Sequence, residues 1–147
     1  YGEFDVNKSI NDKQAAIDSL RKNDTCNGRV GSIGFCLGGL LSYLTAARTN
    51  ANANSGYYGV GIEGLLDEAQ NIKSPLMLHI ASEDSFVPKE VSEKICSSLN
   101  GYEAISTFVY EGCDHGFARD TDPSHYNKSA TEMAHSRTLD LFNKELR

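Results

Sequence analysis

Arg29-Val-Gly-Ser-Ile-Gly-Phe-Cys-Leu-Gly-Gly39 is the stretch that decides how this chain folds. Val30 and Ile33 are β-branched and favour extended backbone, whereas Gly38-Gly-Leu-Leu-Ser-Tyr-Leu-Thr-Ala-Ala-Arg48 reads as a helix. Cys36 therefore falls on the bend between a strand and a helix, in the G-x-C-x-G form of the G-x-S-x-G nucleophile elbow. A residue on such a bend takes strained backbone angles, and Gly34 and Gly38, two positions to either side, are expected to leave room for it. The thiol then projects from the end of the strand. Behind it, the first helical turn aims unpaired N–H groups at the sulfur, which favours thiolate and developing oxyanion alike.

A nucleophile needs a base and an orienter, and after an elbow of this kind the chain order is acid, then histidine. Pro75-Leu-Met-Leu-His-Ile-Ala81 reads as a buried parallel strand, and Ser82-Glu-Asp-Ser-Phe-Val-Pro88 follows it, so Asp84 lies just past a strand end. A further strand, Ile105-Ser-Thr-Phe-Val-Tyr110, runs into Glu111-Gly-Cys-Asp-His-Gly-Phe117 and brings His115 to the same edge of the sheet. Cys36 is thus the candidate nucleophile, His115 the base and Asp84 the orienter. Each has a plainer reading on its own. A cysteine on a strand is often a small buried hydrophobe, and an aspartate after a strand is a turn former or a cap for the helix from Pro88. Three strand ends in the required order, together with the elbow glycines, favour the triad.

At these residues the chain resembles the dienelactone hydrolase family, the cysteine-dependent branch of the α/β-hydrolases. Gly34-Phe-Cys-Leu-Gly-Gly39, Gly56-Tyr-Tyr-Gly-Val-Gly61, Asp84-Ser-Phe-Val-Pro88, His115-Gly-Phe-Ala-Arg119 and Arg137-Thr-Leu-Asp140 are all similar to family blocks, at similar intervals. The resemblance implies a parallel sheet flanked by helices and hydrolysis of cyclic enol esters or related carboxylate-bearing esters, without a cofactor or a metal. It also implies Cys36, His115 and Asp84 as triad and the Leu37 N–H as an oxyanion donor. Arg119 would hold the substrate carboxylate, and Tyr57 and Phe86 would line the pocket.

The chain departs from the family pattern at its start. Only 28 residues precede Arg29, and they read as one helix, Ser9–Arg21, with a Ser9/Asp12 capping pattern and apolar positions at Ala16, Ile17 and Leu20. No strand is read upstream, so residues 1–147 are expected to form a single partial domain, truncated on its N-terminal side. A second oxyanion donor, and the N-terminal glutamate, arginine and aromatic residues that the family uses, have no counterpart here. The elbow strand would then lie at a sheet edge, to be covered by a second copy of the chain or by an N-terminal fragment.

Composition acts mainly by exclusion. The 147 residues are 39% hydrophobic, which argues against disorder. A net charge of -6 without a basic cluster is wrong for nucleic acid or an anionic membrane surface, and no apolar run approaches a membrane helix. Against that charge, Arg119 is the local exception available to an anionic substrate, its plainer reading being a solvated surface arginine. Cys26, Cys36, Cys96 and Cys113 form neither a disulfide framework nor a zinc signature, and they favour a reducing, cytoplasmic compartment. His79 reads as a core residue within its strand, hydrogen-bonded to backbone. Asn52 and Asn54 are expected to flank a turn before a short strand from Ser55. A final helix is expected to open at Asp122-Pro123, to include His125 and His135, and to turn Tyr126, Ala130, Met133, Leu141 and Phe142 toward the sheet.

Two other classes of function remain beside the ester or lactone hydrolase. One is a catalytically incompetent fragment, serving as an interaction module or needing a partner to complete its site. The other is a thiol redox role for Cys36, disfavoured because no resolving cysteine is near it in sequence.

Overall fold

In the computed structural model, which describes residues 4–147, four parallel strands form one sheet in chain order. They are β1 (Gly31–Phe35), β2 (Ala53–Tyr57), β3 (Leu76–Ala81) and β4 (Ile105–Tyr110), and the helices are α1 (Val6–Arg21), α2 (Leu37–Arg48), α3 (Lys89–Leu99) and α4 (Lys128–Glu145). Short 3-10 turns at Ile62–Gly64 and Leu66–Asn71 fill the connection from β2 to β3. Because every strand runs the same way, with Phe35 opposite Tyr57 and Ala81 opposite Tyr110, the turns after β1, β3 and β4 emerge at one edge. That is the edge at which parallel sheets of this kind place ligands.

Alternation along the strands divides the core in two. Leu76, Leu78 and Ile80 point to one face, where they meet Leu40 and Leu44 of α2, Ile95 and Leu99 of α3 and Ile10 of α1. Tyr57, Ala81 and Tyr110 point to the other, against Phe117 of the loop after β4 and Ala134 of α4. Gly39 through Ala46 of α2 are all buried. A Cβ on Gly34 would lie 1.9 Å from the Gly38 carbonyl oxygen, and one on Gly39 2.6 Å from that of Tyr57, so these two glycines let the helix start against the strands. Gly38, expected to be the second spacer, is not one: a Cβ there meets nothing within 4 Å.

Several boundaries differ from expectation for identifiable reasons. Helix α1 begins at Val6 rather than Ser9, because Asp5 caps it by accepting from the Lys8 N–H at 2.9 Å. Its inward residues are Ile10 and Ile17, and Leu20 is exposed. Strand β2 begins at Ala53, so Asn54 is a strand residue and not part of a turn; its buried amide accepts from the Ser32 hydroxyl at 2.7 Å and donates to Ser74. Helix α4 opens at Lys128 under an Asn127 cap, well past Asp122-Pro123. Arg119 through Tyr126 instead make tight turns closed by Asp122 N–H to Arg119 and Tyr126 N–H to Asp122. His125 therefore lies outside the helix, and Met133 points to solvent rather than to the sheet.

Among the described residues β1 and β4 are the sheet edges. On β1 the side chains of Ile33 and Phe35 are 47% and 43% exposed. No helix among the described residues is long and apolar enough to cross a membrane.

Candidate active site

Cys36 caps α2 with φ 57° and ψ -119°, a positive φ that side chains rarely adopt. Such a conformation costs about 1–3 kcal/mol and persists only where the surroundings fix it. Here its N–H donates to the Tyr57 carbonyl at 3.0 Å, and its own carbonyl accepts from Gly39 at 2.8 Å, so the bend is tied to the neighbouring strand and to the helix. Leu37 is the first helical residue, and an N–H at that position has no acceptor one turn earlier.

Asp84 sits in the turn after β3. Its Oδ1 accepts from the Phe86 and Val87 N–H groups at 2.8 and 3.2 Å, while His115 Nδ1 lies 3.2 Å from Oδ1 and 3.0 Å from Oδ2. The carboxylate thus shapes its own turn and faces the imidazole at once. Burial works against the imidazolium, but hydrogen bonds to Asp84 and to Cys36 outweigh it and raise the His115 pKa above its ordinary value. The rings of Phe86 and Tyr58 stand edge-on to the imidazole with centroids 4.7 and 5.0 Å away and pack against it. The triad read from sequence is thus brought together.

The residues around it are only partly those expected. A cleft of about 540 Å³ is lined by Phe35, Cys36, Tyr58, Phe86, His115, Arg119 and His125, among others. Phe86 stands at its rim, two-thirds exposed. Tyr57, expected to line the pocket, does not. As the last residue of β2 it points to the α4 face, fully buried, with its hydroxyl 2.8 Å from Thr138 Oγ1. Tyr58 lines the cleft instead, turned there by a φ of 36°, and burial pushes its hydroxyl pKa up to about 12. Arg119 reaches the cleft but donates to Asp122.

Asp114 was not legible as a site residue. Its Oδ1 accepts from the backbone N–H groups of His115 and Ser85 at 2.6 and 2.8 Å, which fastens the His115 loop to the Asp84 turn. Burial alone would raise its pKa, yet these donors hold it below the usual carboxylate range. Nothing in the local sequence marks it, since Ser85 is near only in space. His125, expected inside the final helix, lines the cleft instead. Among the described residues no group of three or more His, Cys, Asp or Glu is arranged to hold a metal ion.

This arrangement has known counterparts. The model of the dienelactone hydrolase family matches residues 3–146. The chain belongs to that family. A relative from Azospirillum brasilense is 42% identical over 118 residues, covering 80% of this chain and 50% of its own length. The carboxymethylenebutenolidase of Pseudomonas putida is 37% identical over 138 residues, covering 94% of this chain and 58% of that protein. The chain thus spans little more than half the length of these relatives. A solved structure from Klebsiella pneumoniae subsp. pneumoniae superposes with a TM-score of 0.85 at 22% identity, over 97% of this chain and 63% of that one. That structure is described as a putative dienelactone hydrolase, and the likeness shows a shared fold, the parallel sheet flanked by helices.

Proposed function

We propose that the chain carries the machinery for hydrolysing an ester or lactone, carboxylate-bearing and dienelactone-like, through Cys36, His115 and Asp84. The observation that carries this reading is the strained Cys36 cap in hydrogen-bond contact with His115, whose Nδ1 is held by Asp84. The Cys36 proton passes to His115, and the sulfur adds to the ester carbonyl. The oxyanion then faces the Leu37 N–H. Its collapse breaks the C–O bond, His115 returns the proton to the departing oxygen, and a thioester remains. Water adds to the thioester with His115 as base, releasing the acid and the thiol. In this reading Arg119 receives the substrate carboxylate as a charge-assisted pair, and Phe86 and Tyr58 close the sides of the cleft. Four cysteines whose spacing forms neither a disulfide framework nor a zinc signature favour a reducing compartment, and a cytoplasmic location is the one we adopt.

A second reading has its own support. Among the described residues Phe35, beside Cys36, lies exposed on an edge strand of the sheet. An incompetent fragment, or one completed by a partner, would look like this.

Turnover separates the two. With a carboxylate-bearing enol lactone and a neutral activated ester as substrates, Cys36→Ala is expected to remove activity by several orders of magnitude, and Cys26→Ala or Cys96→Ala to change it little. Arg119→Ala is expected to lower kcat/KM about tenfold on the anionic substrate and barely on the neutral one. Unchanged turnover in Cys36→Ala overturns the mechanism, and no turnover by the unmodified chain favours the second reading.

A further inference from the structure

The guanidinium of Arg119 already holds a carboxylate. Its Nη2 donates to Asp122 Oδ2, and the same oxygen accepts from His125 Nδ1 at 2.9 Å. On its other side His125 turns Nε2 to within 3.5 Å of Asp114 Oδ2, and Asp114 is the residue that fastens His115 to the Asp84 turn. Four charged or titratable side chains therefore run in line from the loop of the base to the arginine at the cleft rim. Within this line Asp122 is the tucked member, with a side chain 21% exposed, and Arg119 the open one, at 60%.

We infer that Asp122 is a specificity-setting residue, an internal carboxylate that competes with anionic substrates for Arg119. The inference rests on the reading of Arg119 as the carboxylate-binding group. Physically, Asp122 offers Arg119 the same planar, charged acceptor that a substrate carboxylate would offer. Because Asp122 belongs to the same loop and is tethered by His125, it competes intramolecularly, at an effective concentration no dilute substrate matches. Both partners hold the Asp122 carboxyl below the usual carboxylate range, with Arg119 the larger influence, so it stays ionised at neutral pH. An anionic substrate must displace it or share the guanidinium with it, whereas a neutral ester meets no such competitor. The exchange is limited in size, because a solvent-facing ion pair is weak and a substrate carboxylate restores what Asp122 gives up.

Asp122→Asn is the informative change, since the amide keeps an acceptor for His125 and for Arg119 and removes only the charge. It is expected to raise kcat/KM for a carboxylate-bearing enol lactone roughly three- to tenfold, mainly through KM, and to leave a neutral ester unchanged. Asp120→Asn, in the same loop with the same charge and exposed, is expected to alter neither. A fall on the anionic substrate would make Asp122 a support for Arg119 and overturn the inference. So would an equal rise on both substrates, or a matching rise in Asp120→Asn. Binding of 2-furoate, a carboxylate the site has no bond to hydrolyse, gives a readout independent of turnover. Its affinity is expected to tighten by the same factor in Asp122→Asn and to be lost in Arg119→Ala. Tightened furoate binding without turnover of either substrate would sustain the inference while rejecting the hydrolase reading, and unchanged furoate binding overturns the inference whatever the turnover.

Discussion

Desolvation and hydrogen bonding pull the His115 imidazole in opposite directions. Burial favours the neutral ring, while Asp84 and Cys36 favour the charged one and win. Since the folded pKa is raised, the His115 contribution to stability is fully present below the unfolded value of about 6.5 and is lost as pH rises through the higher folded value. Asp84→Asn tests this cleanly. The asparagine oxygen can still accept from Phe86 and Val87, so the turn survives, but the negative charge facing Nδ1 is gone while the burial remains. Proton NMR of the imidazole is expected to show His115 titrating above 6.5 in the unmodified chain and at a clearly lower pH in Asp84→Asn. Coincident titration curves would mean that Asp84 does not act on His115 through its charge.

Strand β3 carries a second histidine whose environment is the reverse. His79 is fully buried, with Nδ1 2.8 Å from the Tyr110 hydroxyl and Nε2 2.9 Å from Thr138 Oγ1, and burial lowers its pKa to about 3. Arg137 donates to the same Tyr110 hydroxyl at 3.0 Å and stacks on Phe108, while Thr138 also meets Ser55 and Tyr57. With Arg137 donating to Tyr110, the Tyr110 O–H is available to Nδ1, and Nε2–H donates to Thr138, which suits a neutral ring. Between about 3 and 6.5 the unfolded chain binds the proton that the folded chain refuses, so stability falls as pH drops through that window, by at most about 1.4 kcal/mol per pH unit from this group. Urea midpoints measured from pH 7 to 4 are expected to show this decline and His79→Gln to flatten it; an equal decline in both would assign the acid limb to other groups. The same element shows what sequence could reveal. The apolar run of β3 marked it as a buried strand and His79 as a core residue, but a backbone partner was expected, and the actual partners come from β4 and α4. Tyr58 takes the place expected of Tyr57 because β2 ends at Tyr57, which keeps the strand alternation and faces α4, while a positive φ just past the strand turns Tyr58 into the cleft. Asp122-Pro123 is a sound local helix start, overridden because Arg119, Asp122 and His125 pair among themselves and Asn127 supplies the cap. The convergence of Cys36, Asp84 and His115 was legible because a strand, a bend and a loop each leave a local mark and occur in a fixed order. Asp114 left none.

At the scale of the molecule, the strand that leads into Cys36 is also an edge of the sheet among the described residues. Among the described residues β1 pairs only with β2, and Ile33 and Phe35 lie exposed along it. The Phe35 ring packs 4.7 Å from that of Tyr57 and also borders the cleft, so whatever covers this edge touches the wall of the site. An uncovered strand edge with apolar side chains is a template for pairing with another copy. Opposing this, copies that each carry a net charge of -6 repel one another, and salt screens that repulsion over about 10 Å at 0.1 M. Sedimentation velocity of the chain at micromolar concentration is therefore expected to show dimers or larger species, increasing with ionic strength. Ile33→Lys, which places a charge on the edge without touching Cys36, Asp84 or His115, is expected to shift the distribution toward monomer at every salt concentration. A monomer that persists at micromolar concentration and high salt would show that the edge does not pair, and association unaffected by Ile33→Lys would place the contact elsewhere, with the exposed face of α4 around Met133 and Leu139 as the next surface to charge.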